Sequence, residues 1–133
     1  MTILRAAAVY WAAVFALGFV LGTIRVTWLI PQVGLMPATL IELPLILTGS
    51  WLAAGWVLRR FRIARPLDAL AVGGLAFAIL MAAECALASV LTGKSPAQWL
   101  AGLRQPHALL GLAGQVVFAL MPWWRVRRSL SAA

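Results

Sequence analysis

Four ionisable residues lie inside or at the edge of long apolar stretches, where charged side chains are rare: Arg25, Glu42, Glu84 and His107. Ionisable groups in such stretches usually mark either a path for protons or solutes or a paired structural network. A guanidinium can pair with a carboxylate, and carboxylates and histidine can also exchange protons. We therefore treat these four residues as a candidate intramembrane polar cluster.

No other pattern in the sequence indicates a reaction. The sequence contains one histidine and one cysteine, and neither has a second ligand at metal-binding spacing. His107 follows Pro106, and an interfacial or capping histidine is the simpler interpretation. We find no phosphate-binding loop, haem-attachment motif or nucleophile–base motif. We therefore expect no catalytic residue, no metal site, no cofactor and no enzymatic activity.

The composition predicts that these residues belong to a membrane protein. Hydrophobic residues make up 64% of the 133 residues and charged residues 11%, against about half and about a quarter in soluble domains. A small soluble domain buries only about two-thirds of its surface, so lipid is the expected solvent. The net charge of +8 could indicate nucleic-acid binding, but the basic residues flank the apolar runs. We expect the lipid bilayer as a partner and no nucleic acid.

Four apolar runs are long enough to cross a bilayer, which takes about 20 residues. They cover about Ala6 to Ile30, Ala38 to Leu58, Leu67 to Leu91 and His107 to Trp124. A turn from Pro31 to Pro37 is expected between the first two runs, and the fourth run is the shortest. The predicted fold is an all-α polytopic membrane protein, with four transmembrane helices in one four-helix domain over residues 1–133.

A short additional helix is expected before the fourth run. Ser95 and Gln98 have the spacing of a capping box, and Pro96 suits the first helical position. We predict a helix from about Pro96 to Arg104 in the membrane interface, with Trp99 at the level of the headgroups. An irregular loop is the alternative.

The basic residues predict the orientation of the spans. Eight of the eleven Lys and Arg residues flank the two termini and the middle loop, whereas Lys94 and Arg104 lie on the opposite side. Because Lys and Arg concentrate on the cytoplasmic side of membrane proteins, we expect both termini in the cytoplasm.

The topology places the polar residues at a similar depth. Arg25 lies six residues before the predicted turn and Glu42 five residues after it, so both belong in the outer third of the bilayer. Glu84 lies 17 residues beyond Leu67, which is about 25 Å along a helix. His107 begins the fourth span from the same side. Four helices could therefore contribute to one polar layer.

Small residues favour an ion pair between the first two spans. Gly18 and Gly22 share a helix face with Arg25, and Gly49 shares one with Glu42. Such residues let helix backbones approach closely, so we predict that Arg25 pairs with Glu42.

The environments of three further polar or irregular positions are less determined. Glu84 could lie on a helix that packs on two sides, face a partner protein or second copy, or be protonated. Gln115 is expected to hydrogen-bond another helix. Pro44 leaves the carbonyl of Leu40 without its helical donor, which suggests either a broken helix lining a site or, more simply, a helix start.

The chain resembles small four-helix membrane proteins found widely in proteobacteria, usually described as hypothetical proteins. The resemblance rests on the segments Gly22-Thr23-Ile24-Arg25-Val26, Ile41-Glu42-Leu43-Pro44, Arg59-Arg60-Phe61, Ala83-Glu84 and Phe118-Ala119-Leu120-Met121-Pro122. It extends across most of the chain and implies a bacterial inner-membrane location, but no activity. The motifs of small multidrug-resistance transporters and fluoride channels are not found.

Two functions remain open from the sequence. The favoured one is a non-enzymatic scaffold or accessory subunit that packs against another copy of itself or against another membrane protein. The alternative is a conduit for protons or a small solute, which would use the candidate polar cluster. Because four helices leave little room for a pore, the conduit would require an oligomer.

Overall fold

The computed structural model describes residues 2–132, apart from the side chains of His107 and Ala132. The described chain is helical and contains no strand. Its elements are α1 (Thr2–Ile24), a π-helical turn (Arg25–Leu29), α2 (Ile30–Val33), α3 (Leu35–Arg60), α4 (Pro66–Thr92), α5 (Pro96–Gly102) and α6 (Pro106–Ala132). Four stretches of helix within the described residues are long and apolar enough to cross a membrane, as predicted.

The connection between the first two long helices is tighter than the predicted turn. The chain is helical on both sides of Gly34, which alone breaks the helix with a φ of 92°. Glycine adopts a positive φ without the steric cost of a Cβ. Pro37 lies in the first turn of α3, where proline is tolerated because the N–H groups there have no helical acceptor. Pro31 continues the first long helix directly after the π-helical turn. The predicted turn from Pro31 to Pro37 is therefore wrong.

The bounds of the last two helices, α5 and α6, differ from the predicted ones. The side chain of Ser95 accepts a hydrogen bond from the Gln98 N–H, and the Gln98 side chain accepts one from the Ser95 N–H. This capping box begins α5, so a helix and not an irregular loop follows Ser95, and it ends at Gly102, before the predicted Arg104. Its position in the membrane interface stays a prediction. Helix α6 continues beyond the predicted end at Trp124, although its apolar part remains the shortest of the four.

The long helices form a ring in which α1 and α6 each pack against both α3 and α4. Helices α1 and α6 therefore occupy diagonal corners, and α3 and α4 occupy the other two. We call the end of the bundle with the two termini and the 61–65 loop the basic end. Buried residues concentrate in this half: Ala6, Ala7, Tyr10, Ala54, Val57, Val72, Ala76, Phe118 and Met121.

The outward faces of the bundle are apolar. Large hydrophobic side chains such as Phe19, Leu52 and Val90 are exposed, which suits contact with lipid rather than water. Exposed tryptophans lie towards both ends, with Trp28 far from the basic end and Trp56 near it. Tryptophans at two levels are typical of the two interfaces of a bilayer.

Two adjacent glycines in α4 provide a test of this packing. A Cβ on Gly73 would overlap the backbone carbonyl of Ala119 in α6, whereas nothing lies within 4 Å of a Cβ on Gly74. We expect Gly73→Ala to lower the free energy of unfolding by about 1–3 kcal/mol through overpacking. Gly74→Ala should be neutral or slightly stabilising, because alanine is the better helix former. Reversible unfolding in mixed micelles measures both variants, and equal effects would contradict the α4–α6 contact.

Candidate functional site

A cavity of about 790 Å³ lies among the four long helices, largely in the half away from the basic end. Arg25, Glu42 and Glu84 all line it, and most of the remaining wall is apolar. On the first long helix the wall extends from Trp11 to Thr27, which is about 24 Å at about 1.5 Å per residue. The cavity is therefore elongated along the bundle.

The predicted ion pair is present on the wall of this cavity. The Nε atom of Arg25 lies 2.5 Å from Oε2 of Glu42. A Cβ on Gly49 of α3 would overlap the side chain of Leu17 in α1, whereas one on Gly18 would make an ordinary contact with Ile46. The close approach of the two helices therefore depends on Gly49. The Arg25 and Glu42 side chains are 27% and 18% exposed, respectively. The pair therefore borders open space and is not sealed within the core.

Pro31 accounts for the local backbone around Arg25. Proline has no N–H to donate to the carbonyl of Thr27. Upstream, the N–H of Ile30 donates to the carbonyl of Arg25, five residues earlier, and Arg25–Leu29 forms a π-helical turn. A π-helical turn changes the direction in which the residues beyond it face. The sequence analysis missed this turn, for which Pro31 was the available signal.

Glu84 faces the bundle from α4. Its Oε1 atom accepts a hydrogen bond from Nε2 of Gln115 in α6, with the two atoms 2.5 Å apart. The prediction that Gln115 bonds to another helix is confirmed, and an outward orientation of Glu84 towards a partner is wrong. The small residues on the other side of α4 are exposed: Gly74, Ala78, Ala82 and Ala86.

The two remaining predictions have different outcomes. Pro44 lies inside α3, and the helix continues through it. It therefore marks neither a helix start nor a break. The backbone of His107 belongs to the first turn of α6, but its side chain lies outside the described residues. Its membership of the polar cluster stays a prediction.

Phe118 forms the floor of the cavity towards the basic half, and Tyr10 packs behind it. The Tyr10 hydroxyl donates to the backbone carbonyl of Phe118 at 2.6 Å, and the two rings stack with centroids 4.4 Å apart. Pro122 stands four residues after Phe118 and cannot donate the usual helical hydrogen bond to that carbonyl. Tyr10 supplies the missing donor across the diagonal of the bundle. The sequence analysis missed Tyr10, although it is the one tyrosine in the chain.

The polar groups of the wall differ in whether they have partners. The hydroxyls of Thr23, Thr27, Thr39 and Ser50 donate to carbonyls of their own helices. Among the described residues, two buried side-chain groups lack a hydrogen-bond partner, namely Nε1 of Trp11 and Nε of Arg25. The Arg25 Nε is in contact with Glu42 but makes no hydrogen bond. Trp11 Nε1 is therefore the N–H donor on the cavity wall that an acceptor within the cavity could satisfy.

The ion pair can be tested by a double-mutant cycle. Arg25→Leu and Glu42→Leu each leave one charge without its partner, so the double variant should lose less stability than the sum of the single variants. We expect a coupling of about 0.5–3 kcal/mol, measured by reversible unfolding in micelles. The matched control is Arg65 with Asp68, whose Nε and Oδ2 atoms lie 4.0 Å apart in an exposed position. That pair should show little coupling, whereas strict additivity at Arg25 and Glu42 would contradict the pairing.

The floor can be tested in the same way. Tyr10→Phe leaves the Phe118 carbonyl without a donor and should lower the free energy of unfolding by about 1–3 kcal/mol. Pro122→Ala restores an N–H to α6 at the position that normally bonds this carbonyl. Tyr10→Phe should therefore have a smaller effect in the Pro122→Ala background. An equal effect in both backgrounds would show that the Tyr10 hydroxyl does not replace the donor missing from Pro122.

Among the described residues, no group of His, Cys, Asp or Glu side chains could hold a metal ion. Comparison of the chain with protein-family models, curated proteins and solved structures gives no match. The resemblance to small proteobacterial membrane proteins therefore stays a prediction, and the functional hypothesis rests on the cavity itself.

Proposed function

We propose that the chain is a non-enzymatic integral membrane protein that binds an elongated amphiphilic molecule in the cavity among its four long helices. Ligand sites are typically concave, mostly apolar and about 300–1,000 Å³ in volume, and the cavity of about 790 Å³ fits this description. The observation that carries the proposal is a cavity wall that is apolar over most of its length and holds the Arg25–Glu42 pair towards one end. A ligand with an apolar body and one uncharged polar end would complement this wall.

A conduit for protons or a small solute would use the same polar side chains. The presence of Arg25, Glu42 and Glu84 on one cavity wall supports this alternative. The floor argues against a continuous path, because the stacked Tyr10 and Phe118 rings separate the cavity from the packed half. Transport would therefore need a movement of α1 relative to α6. Binding requires no such step, and for this reason we favour it.

A scaffold or accessory role is the second candidate. It is supported by the exposed stripe of Gly74, Ala78, Ala82 and Ala86 on α4, since small residues allow a second helix to approach closely. Such a stripe does not identify whether the partner is a second copy or another membrane protein. Glu84 adds nothing to this outer face, because its side chain bonds Gln115 inside the bundle.

We further propose a bacterial inner-membrane location with both termini in the cytoplasm. Eight of the eleven basic residues belong to the basic end, as expected for the cytoplasmic side. The short helix α5 would then lie in the outer interface, where its exposed Leu100 could contact lipid.

Two glycines offer a matched test of ligand binding. Nothing lies within 4 Å of a Cβ on either Gly111 or Gly74, but Gly111 lines the cavity whereas Gly74 faces outwards. The probe is palmitamide with a terminal diazirine, because its uncharged amide can hydrogen-bond beside the Arg25–Glu42 pair without adding a third carboxylate to the cavity, and its chain suits the elongated cavity. We expect photolabelling of cavity residues, reduced about tenfold by Gly111→Leu, which corresponds to about 1.4 kcal/mol of binding free energy. Gly74→Leu should leave this labelling unchanged.

Peptide mapping of the labelled protein distinguishes the proposals. Labelling confined to outward faces, or cavity labelling that Gly111→Leu does not reduce, would overturn the binding proposal. Proton or solute flux into proteoliposomes that Glu84→Gln abolishes, with the fold intact, would favour the conduit instead. A stable oligomer that Gly74→Leu disrupts, without cavity labelling, would favour the scaffold.

A further inference from the structure

A second group of polar and aromatic residues lies at the basic end, outside the cavity. It combines one residue of α3 with the last turns of α6: Trp51, Trp123, Trp124, Arg125, Arg127 and Arg128. We call this group the Trp–Arg cluster. Nothing in the proposed cavity function requires it.

Arg125 joins the two helices of the cluster. Its Nη1 donates to the backbone carbonyl of Trp51 at 3.2 Å, and its guanidinium lies 4.6 Å from the centroid of the Trp51 ring. Gly55 provides the space, because a Cβ at this position would overlap the guanidinium. Arg125 is therefore held in place against α3.

The other two arginines are exposed and lie over aromatic rings. The Arg127 guanidinium lies 5.5 Å from the centroid of Trp123, and that of Arg128 lies 5.8 Å from Trp51. Beside them is an open depression of about 530 Å³, lined by Trp123, Trp124, Arg127, Arg128 and Ser131. The rings limit the positions that these guanidinium groups can take, so the cationic side chains are partly preorganised around the depression.

The cluster contains three positive charges and no acidic partner. The chain has three acidic side chains in all, and each is engaged elsewhere. Glu42 contacts Arg25, Asp68 contacts Arg65, and Glu84 bonds Gln115. Arg127 and Arg128 line the same depression without a carboxylate beside them, and an anion there would offset the repulsion between their guanidinium groups. Guanidinium groups match the geometry of phosphate oxygens particularly well.

We propose that the Trp–Arg cluster binds the phosphate group of an anionic membrane lipid, with the headgroup in the depression beside Arg127 and Arg128. A lipid is favoured over free phosphate because the depression lies at the end of the apolar stretch Ala108–Ser131. Exposed Trp56 and Leu130 provide apolar surface near this end. Basic pockets at the end of membrane helices are suited to anionic headgroups.

Native mass spectrometry of the full chain in neutral detergent can test this site. The probes are dioleoyl phosphatidylglycerol, dioleoyl phosphatidylcholine and inorganic phosphate at equal phosphate concentration. We expect a bound phosphatidylglycerol whose affinity falls about tenfold or more in the double variant Arg127→Gln/Arg128→Gln. The matched control is Arg60→Gln/Arg62→Gln, which removes the same charge from the same end but lies outside the depression. This control should retain most of the affinity.

Each outcome either supports or overturns the lipid site. Equal losses in the two double variants would show that binding reflects only the diffuse positive charge of the basic end. Equal affinity for phosphatidylcholine would remove the anion as the recognised group. Competition by inorganic phosphate at similar concentration would indicate a free-phosphate site instead. Thermal unfolding in detergent without lipid establishes that both variants are folded, so a loss of binding cannot be attributed to misfolding.

Discussion

The hydrogen bond from Tyr10 to the Phe118 carbonyl satisfies a constraint that governs the whole bundle. In an apolar environment, water is not available to a backbone carbonyl that has lost its helical donor. Pro122 removes the donor that Phe118 would otherwise use, and a hydroxyl from the diagonally opposite helix replaces it. Because α1 and α6 lie at diagonal corners, this bond joins the corners directly. The packed half lies on one side of it and the cavity on the other.

The second proline that shapes the site acts through the backbone. Pro31 cannot donate to Thr27, and the preceding residues adopt a π-helical turn at Arg25. The result is a local change of register at the residue that pairs with Glu42. In both places a proline lacks the N–H that would bond a helical carbonyl beside the cavity. At Phe118 the hydroxyl of another helix replaces that donor. At Thr27 the missing donor coincides with a π-helical turn. The site is thus built around two departures from regular helical hydrogen bonding.

Much of the fold could be predicted from the sequence. The lengths of the apolar runs and the charged residues that flank them are local features of the chain, and they mark where each long helix lies. The Arg25–Glu42 pair was predictable for a related reason: consecutive helices joined by a short connection must be antiparallel neighbours. The diagonal contact between Tyr10 and Phe118 was not predictable, since helix faces do not specify the order of four helices around a ring. The orientation of Glu84 could not be predicted, because both the lipid-facing side and the core-facing side of α4 consist mainly of apolar residues.

The size of the cavity bears on whether it can be empty. A dry cavity costs about 24 cal/mol per Å³ in protein cores, so a closed void of about 790 Å³ would cost roughly 19 kcal/mol. That exceeds the total stability of most domains, about 5–15 kcal/mol. The cavity is open along part of its wall, so lipid chains or a bound amphiphile can enter it and remove this cost. Gly22 and Gly111 lie on the wall where a larger side chain would enter the space, so part of the cavity depends on these small residues. Water can hydrogen-bond to Arg25 and Glu42 at one end of the cavity. It finds few hydrogen-bond partners along the apolar wall between this pair and the floor.

A flexible chain with one polar end would contact both the polar end and the apolar wall, which is why we infer an amphiphile.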